Sequence, residues 1–212
     1  MNQQEKQLET LTEIRSLMER SSRFISLSGL SGIFAGIFAL LGATAVAVNY
    51  GFTFDSMFYY GKAELDTGEA NLSFYIFFGI IALSMVVASL TFGYYFTSKK
   101  AKKNDLAVWD SSAKRLLINL FIPLVTGGLF CAILIYHELL PLVVPSTLIF
   151  YGLALLNASK YTLNDIRFLG ICEIILGLAS AIFVKYGLLC WTIGFGLLHI
   201  IYGTAMYYKY ER

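Results

Sequence analysis

The chain has 212 residues, 57% of them hydrophobic and 14% charged, with a formal net charge of +2. Soluble domains carry about 25% charged residues, so this composition leaves almost no room for a water-soluble enzyme, a nucleic-acid-binding domain or a disordered chain. It is the composition of an integral membrane protein.

Residues 1–23 are polar and read as a cytoplasmic amphipathic helix. Leu8, Leu11, Leu17 and Met18 form a narrow apolar stripe, and Glu5, Glu9 and Glu13 line another side. Such a helix either docks a cytoplasmic protein or a second copy of the chain, or leads into the membrane and folds against the bundle. The apolar run that follows is far longer than the roughly 7–15 residues of a signal peptide's core, so it reads as a retained first span.

A helix crossing the hydrocarbon core needs about 20 mostly apolar residues. Six stretches meet or approach this: 24–48, 72–98, 116–136, 139–159, 168–184 and 186–208. The first four carry no charge. The fifth carries Glu173, and the sixth carries His199. No stretch alternates with a period of two, which argues against a β-barrel. The expected fold is an all-α polytopic bundle of six transmembrane helices in three hairpins. Pro123 with Gly127-Gly128 marks the third span for a kink, and Pro145 lies early in the fourth.

Fourteen of the 16 Lys and Arg fall on one side of this threading: the N-terminus, the 99–115 and 160–167 loops, and the C-terminus. Only Lys62 and Lys185 fall on the other. The positive-inside rule then places both termini in the cytoplasm. The 49–71 connection, with Asp55, Glu64, Asp66 and Glu69 against Lys62, becomes the extracytoplasmic loop. Tyr94, Tyr95 and Trp109 mark the inner interface, and Tyr50, Tyr136 and Trp191 the outer one. The basic 99–115 loop is a candidate site for anionic lipid, although ordinary topogenic charge explains it too.

Each hairpin opens after basic residues, and each returning helix carries an aromatic-Gly pair before a Lys: Phe92-Gly93, Tyr151-Gly152 and Tyr202-Gly203. This pattern reads as a hairpin repeat or, more cheaply, as shared topogenic constraint.

Three spans share one glycine spacing. They are Gly29-x-x-Gly32-x-x-x-Gly36, Gly170-x-x-Glu173-x-x-x-Gly177 and Gly196-x-x-His199-x-x-x-Gly203. Steps of three and four keep to one helix face, and glycine faces let backbones approach closely. Glu173 and His199 are thereby expected to point into the bundle, in its cytoplasmic half. Ser26, Ser28, Ser31, Asn119 and Asn157 share that depth, so a polar pocket opening to the cytoplasm is expected around Glu173 and His199. A carboxyl group alone in hydrocarbon favours its neutral form, and beside a protonated His199 it can ionise. The pair either binds a small ligand or carries a proton, or it simply holds the helices in register.

No catalytic residue, metal site or cofactor is assigned. Glu and His supply acid–base chemistry in principle, but there is no HExxH, GxSxG or intramembrane Asp pair. Three ligands for zinc are not available. Cys131, Cys172 and Cys190 lie inside apolar runs without CxxC spacing. No nucleotide-binding motif is present, so transport would be secondary or partner-driven.

The stretches 26–32 (SLSGLSG) and 194–203 (GFGLLHIIYG) resemble segments of bacterial six-span inner-membrane proteins of a kind found in Bacteroidota. The resemblance implies a bacterial cytoplasmic membrane and brings no assigned activity. The function expected is sensing or secondary transport of a small ligand or proton by the Glu173–His199 pocket. The alternative is a structural or regulatory subunit docking through the N-terminal helix, and a membrane-embedded acid–base enzyme comes third.

Overall fold

The computed structural model describes residues 24, 27–105 and 107–212. The expected helix over 1–23, and Ser26, lie outside the described residues. Among the described residues the chain is helical, with no strand and one isolated bridge between Glu64 and Ala70.

The helices are α1 (Gly29–Tyr50), α2 (Ser56–Tyr60), α3 (Leu72–Lys103), α4 (Ser111–Tyr136), α5 (Val143–Ala158), α6 (Asp165–Ile182), α7 (Gly187–Trp191) and α8 (His199–Tyr210). Thr192–Leu198, between α7 and α8, is a π-helical segment. Short 3-10 turns at Leu140–Leu142, Ser159–Tyr161 and Val184–Tyr186 join or extend the long helices.

Ends of the helices follow local chemistry. α3 continues through Lys99–Lys103, past the apolar stretch, because Lys and Ala are good helix formers. α4 begins at Asp110, whose carboxylate accepts a hydrogen bond from the Ala113 N–H at 2.7 Å. It then runs through Pro123 as one helix.

Five segments are long and apolar enough to cross a membrane: Gly29–Tyr50, Leu72–Lys103, Ser111–Tyr136, Leu140–Tyr161 and Val184–Tyr210. The chain is therefore compatible with a multi-pass membrane protein. α6, at the position of the expected fifth span, is not among the five. It has 18 residues and includes Asp165, Arg167 and Glu173.

α1 packs between α3 and α8, and α5 packs between α4 and α6. In the two inner pairs, α1–α8 and α5–α6, glycine lets backbone approach backbone. A Cβ on Gly36 would fall 2.6 Å from the Gly196 carbonyl oxygen, and one on Gly152 would fall 2.6 Å from the Gly170 carbonyl oxygen. Between membrane helices, close packing of small residues replaces the hydrophobic drive that operates in water. Outer faces of α3 and α4 are apolar and exposed, including Ile80, Leu83, Val87, Ile122, Val125 and Leu129.

Candidate functional site

α6 and α8 bring Glu173 and His199 together. His199 Nδ1 lies 3.4 Å from Glu173 Oε1. Glu173 is fully buried and His199 nearly so. Both carboxylate oxygens of Glu173 lack a hydrogen-bond partner among the described residues. A buried charge without partners costs several kcal/mol (on the order of 3–5), so this carboxyl group is the least satisfied feature of the bundle.

His199 is better held. Its Nδ1 lies 3.0 Å from the Gly194 carbonyl oxygen, and its Nε2 lies 2.7 Å from the Tyr151 hydroxyl. With a proton on Nδ1, the ring donates to Gly194 and accepts from Tyr151. Addition of a second proton reverses the Tyr151 bond, and the imidazolium then faces the Glu173 carboxylate. The neutral acid beside neutral imidazole and the carboxylate beside imidazolium share one proton and one net charge of zero. The proton that distinguishes the two forms enters the ring at Nε2, on the Tyr151 side, because Nδ1, which faces Glu173 Oε1 at 3.4 Å, already carries its own proton.

The backbone makes room for this pair. Gly194 sits in the π-helical segment, and a Cβ there would fall 2.5 Å from Glu173 Oε2. π-helical turns recur at functional sites because they turn a carbonyl or side chain out of the regular ladder. Here the Gly194 carbonyl meets the His199 ring. Phe195 stacks against His199 at 5.9 Å and packs tilted on Tyr151 at 4.9 Å, and Trp191 packs tilted on Phe195 at 5.1 Å.

Other sequence-selected polar residues lie elsewhere. Ser28 and Ser31 sit at the start of α1, where Ser28 Oγ donates to Glu211 Oε2 at 3.0 Å and Ser31 Oγ donates to the Ser28 carbonyl. Glu211 also accepts from the Gly29 N–H and lies 3.6 Å from Lys100 Nζ. This places a carboxylate at the positive end of α1. Asn119 and Asn157 join α4 to α5, with Asn157 Nδ2 donating to Asn119 O and Oδ1 at 3.0 and 3.1 Å. The polar groups thus form three separate contacts: the serines with Glu211, Asn119 with Asn157, and Glu173 with His199.

The packing glycines take two partners. Gly29, Gly32 and Gly36 of α1 meet Gly203, His199 and Gly196 backbone. Gly170 and Gly177 of α6 meet Gly152 and Pro145–Ile149 of α5. Tyr151, Gly194 and Glu211 were not selected from the sequence. Tyr151 carries a weak signal, the aromatic-Gly pair with Gly152, and Gly194 lies in a Gly-x-Gly step.

A cavity of about 340 Å³ lies beyond Trp191, at the end of the bundle that bears the 49–71 connection. Its walls come from α1, α3, α5 and α7, including Gly42, Phe78, Met85, Thr147 and Trp191. α2 roofs it, and burial there pushes the Tyr60 phenol up to about 12. The lining is almost wholly apolar and aromatic. Among the described residues, no group of three His, Cys, Asp or Glu side chains is placed to hold a metal ion. Comparison with family models, curated proteins and solved structures finds no match.

Proposed function

We propose that the chain is a six-span protein of the bacterial cytoplasmic membrane, with both termini inside, whose Glu173–His199–Tyr151 cluster takes up a proton or a small ligand for sensing or secondary transport. One observation carries the reading: a fully buried carboxyl group whose oxygens have no hydrogen-bond partner among the described residues stands 3.4 Å from an imidazole. Intramembrane ionisable groups that serve only packing are costly, which favours a use for them.

Membership of α6 among the spans is supported by its outer face. Phe168, Ile171, Ile175, Leu178 and Ile182 are all exposed and all apolar, as lipid contact requires. Its 18 residues span about 27 Å, close to the roughly 30 Å hydrocarbon core. Asp165 and Arg167 sit at one end, and Glu173 faces inward. Orientation rests on the distribution of Lys and Arg. Docking of a partner or a second copy through residues 1–23 is the alternative reading, and capture of anionic headgroups by the basic 99–115 loop is compatible with either.

The experiment is thermal stability of the purified protein across pH, wild type against Glu173→Gln, with a panel of metabolites and lipids. A ligand- or pH-dependent shift in wild type that the variant lacks supports the cluster as the functional site. Two identical profiles with every addition remove it and leave a partner-docking subunit.

A further inference from the structure

The two tight helix pairs are built alike. On α1, a Cβ at Gly36 would lie 2.6 Å from Gly196 O, 2.7 Å from Ile200 Cγ1 and 3.0 Å from Ile200 N. On α5, a Cβ at Gly152 would lie 2.6 Å from Gly170 O, 2.7 Å from Ile174 Cγ1 and 3.0 Å from Ile174 N. At the other end, Gly203 meets Ile33 N and Gly29 O, and Gly177 meets Ile149 N and Pro145 O. A single register relates them: Gly29, Ile33 and Gly36 correspond to Pro145, Ile149 and Gly152, while Gly196, Ile200 and Gly203 correspond to Gly170, Ile174 and Gly177. The sequences agree, with Ile33-Phe34-Ala35-Gly36 against Ile149-Phe150-Tyr151-Gly152. In this register Glu173 corresponds to His199.

The third helices follow. Phe34 stacks on Phe92 and Phe96 of α3 at 5.1 and 5.0 Å, and its counterpart Phe150 packs on Gly127 and Phe130 of α4. The halves are therefore α8–α1–α3 and α6–α5–α4. α6 and α8 are antiparallel across the Val184–Tyr186 turn, and each inner pair is antiparallel, so α1 and α5 run in opposite directions. The relating axis is perpendicular to the helices and lies in the plane of a membrane they would cross. This is a pseudo-twofold relation of helix packing, with the order of helices reversed along the chain (α1 then α3 against α5 after α4), and Glu173 and His199 meet across its axis.

The halves differ in what fills them. Thr147, Val143 and Gly42 line the cavity. Their counterparts are Ser31, Leu27 and Ala158. Ala158 is buried with Phe24, Ala113 and Leu116, and Leu27 and Leu120 pack on the same cluster. Phe24 is strapped in by Phe24 N–H to Tyr161 O at 2.7 Å and by Thr162 Oγ1 to Phe24 O at 2.7 Å.

We infer that the cavity at one end and the Phe24-packed cluster at the other are the two exchangeable halves of one alternating-access pathway, closed at Glu173 and His199, for a small amphipathic organic solute. The solute class follows from apolar aromatic walls with a few hydroxyl groups. This rests on the cluster at Glu173 being the functional site, and it adds the exchange.

The test uses the full chain in liposomes, with Cys131, Cys172 and Cys190 replaced by Ala and one cysteine returned as Thr147→Cys or Ser31→Cys. Reaction with a membrane-impermeant maleimide is followed from each side. Phe24→Ala loosens the inner cluster, and Thr162→Val loosens it too by removing the hydrogen bond to Phe24 O. Exchange predicts that both variants raise labelling at Ser31→Cys and lower it at Thr147→Cys in the same proportion, since one two-state balance sets both. Labelling at either position that ignores both changes overturns the inference. Static labelling with a ligand-responsive Glu173 would leave a sensor. Exchange that Glu173→Gln does not alter would instead remove Glu173 and keep the pathway.

Discussion

Glu173 and His199 stand at corresponding steps of two glycine-framed helices and meet at 3.4 Å, with Tyr151 closing the far side of the ring at 2.7 Å. A carboxylic acid beside neutral imidazole and a carboxylate beside imidazolium leave the bundle interior with the same net charge, the second ring proton sitting on Nε2 against Tyr151.

Tyr151→Phe removes the hydroxyl group from His199 Nε2 and leaves a buried nitrogen unpaired. The expected cost is about 1–2 kcal/mol. His199→Ala should cost at least as much, and the double variant should cost less than the sum, because both remove one contact. Denaturation of the four proteins in detergent gives the cycle, and strict additivity would mean the contact is not made.

Gly36→Ala and Gly152→Ala should destabilise alike, by about 1–3 kcal/mol each, since neither neighbouring backbone can yield easily. Gly79→Ala and Gly128→Ala meet open space and should stay within about 1 kcal/mol of wild type. Melting of the four variants side by side checks the ranking.

Gly194→Ala sets a methyl group against Glu173 Oε2 and Leu148 Cδ2. A loss of about 1–3 kcal/mol is expected, smaller in a Glu173→Ala background, where one of the two obstacles is gone. An equal loss in both backgrounds would show that Glu173 does not lie against the Gly194 backbone.

Glu211→Ala removes the carboxylate that caps α1 and pairs with Lys100. By analogy with a lost N-cap, the cost is about 1 kcal/mol. Glu211→Asp shortens the reach, so it should lie between. Tm measurement of the series orders them.

Asp165 ties α6 to the chain end through Tyr210 and Lys209 at 2.6 and 3.1 Å. Burial acts to raise its carboxyl, but the hydrogen bonds from Tyr210 and Lys209 and the Lys209 charge outweigh that and hold it below the usual range. A depressed folded-state value means the contribution is present above the unfolded value, about 4, and is lost as pH falls through the folded value. Asp165→Asn should therefore lower stability slightly at neutral pH and converge with wild type in acid.

Much of the bundle is legible in the sequence because hydrocarbon imposes length and apolarity on each span. Glu173 and His199 stand out as the ionisable groups of otherwise apolar runs, and glycine steps of three and four mark their inward faces. Depth alone does not reveal partners. Ser28 shares a depth class with Glu173 yet meets Glu211, because the free N–H groups at the start of α1 attract a carboxylate. Asn119 and Asn157 pair with each other, each on the face its own helix turns to the other. Tyr151 reads as an ordinary core aromatic until the fold sets it against His199. The pseudo-twofold relation was hidden behind a threefold hairpin pattern. It joins α1 to α8, which are distant in the chain, and equates α1 with α5, so no adjacent segments repeat.

The most direct measurement is infrared titration of the carboxyl C=O band in the reconstituted protein, wild type against Glu173→Gln. A band that is absent from the variant and that disappears reversibly as pH is raised is the expected result. A wild-type spectrum identical to that of Glu173→Gln at every pH, or a Glu173 band that never changes, would contradict a proton-exchanging Glu173–His199 pair.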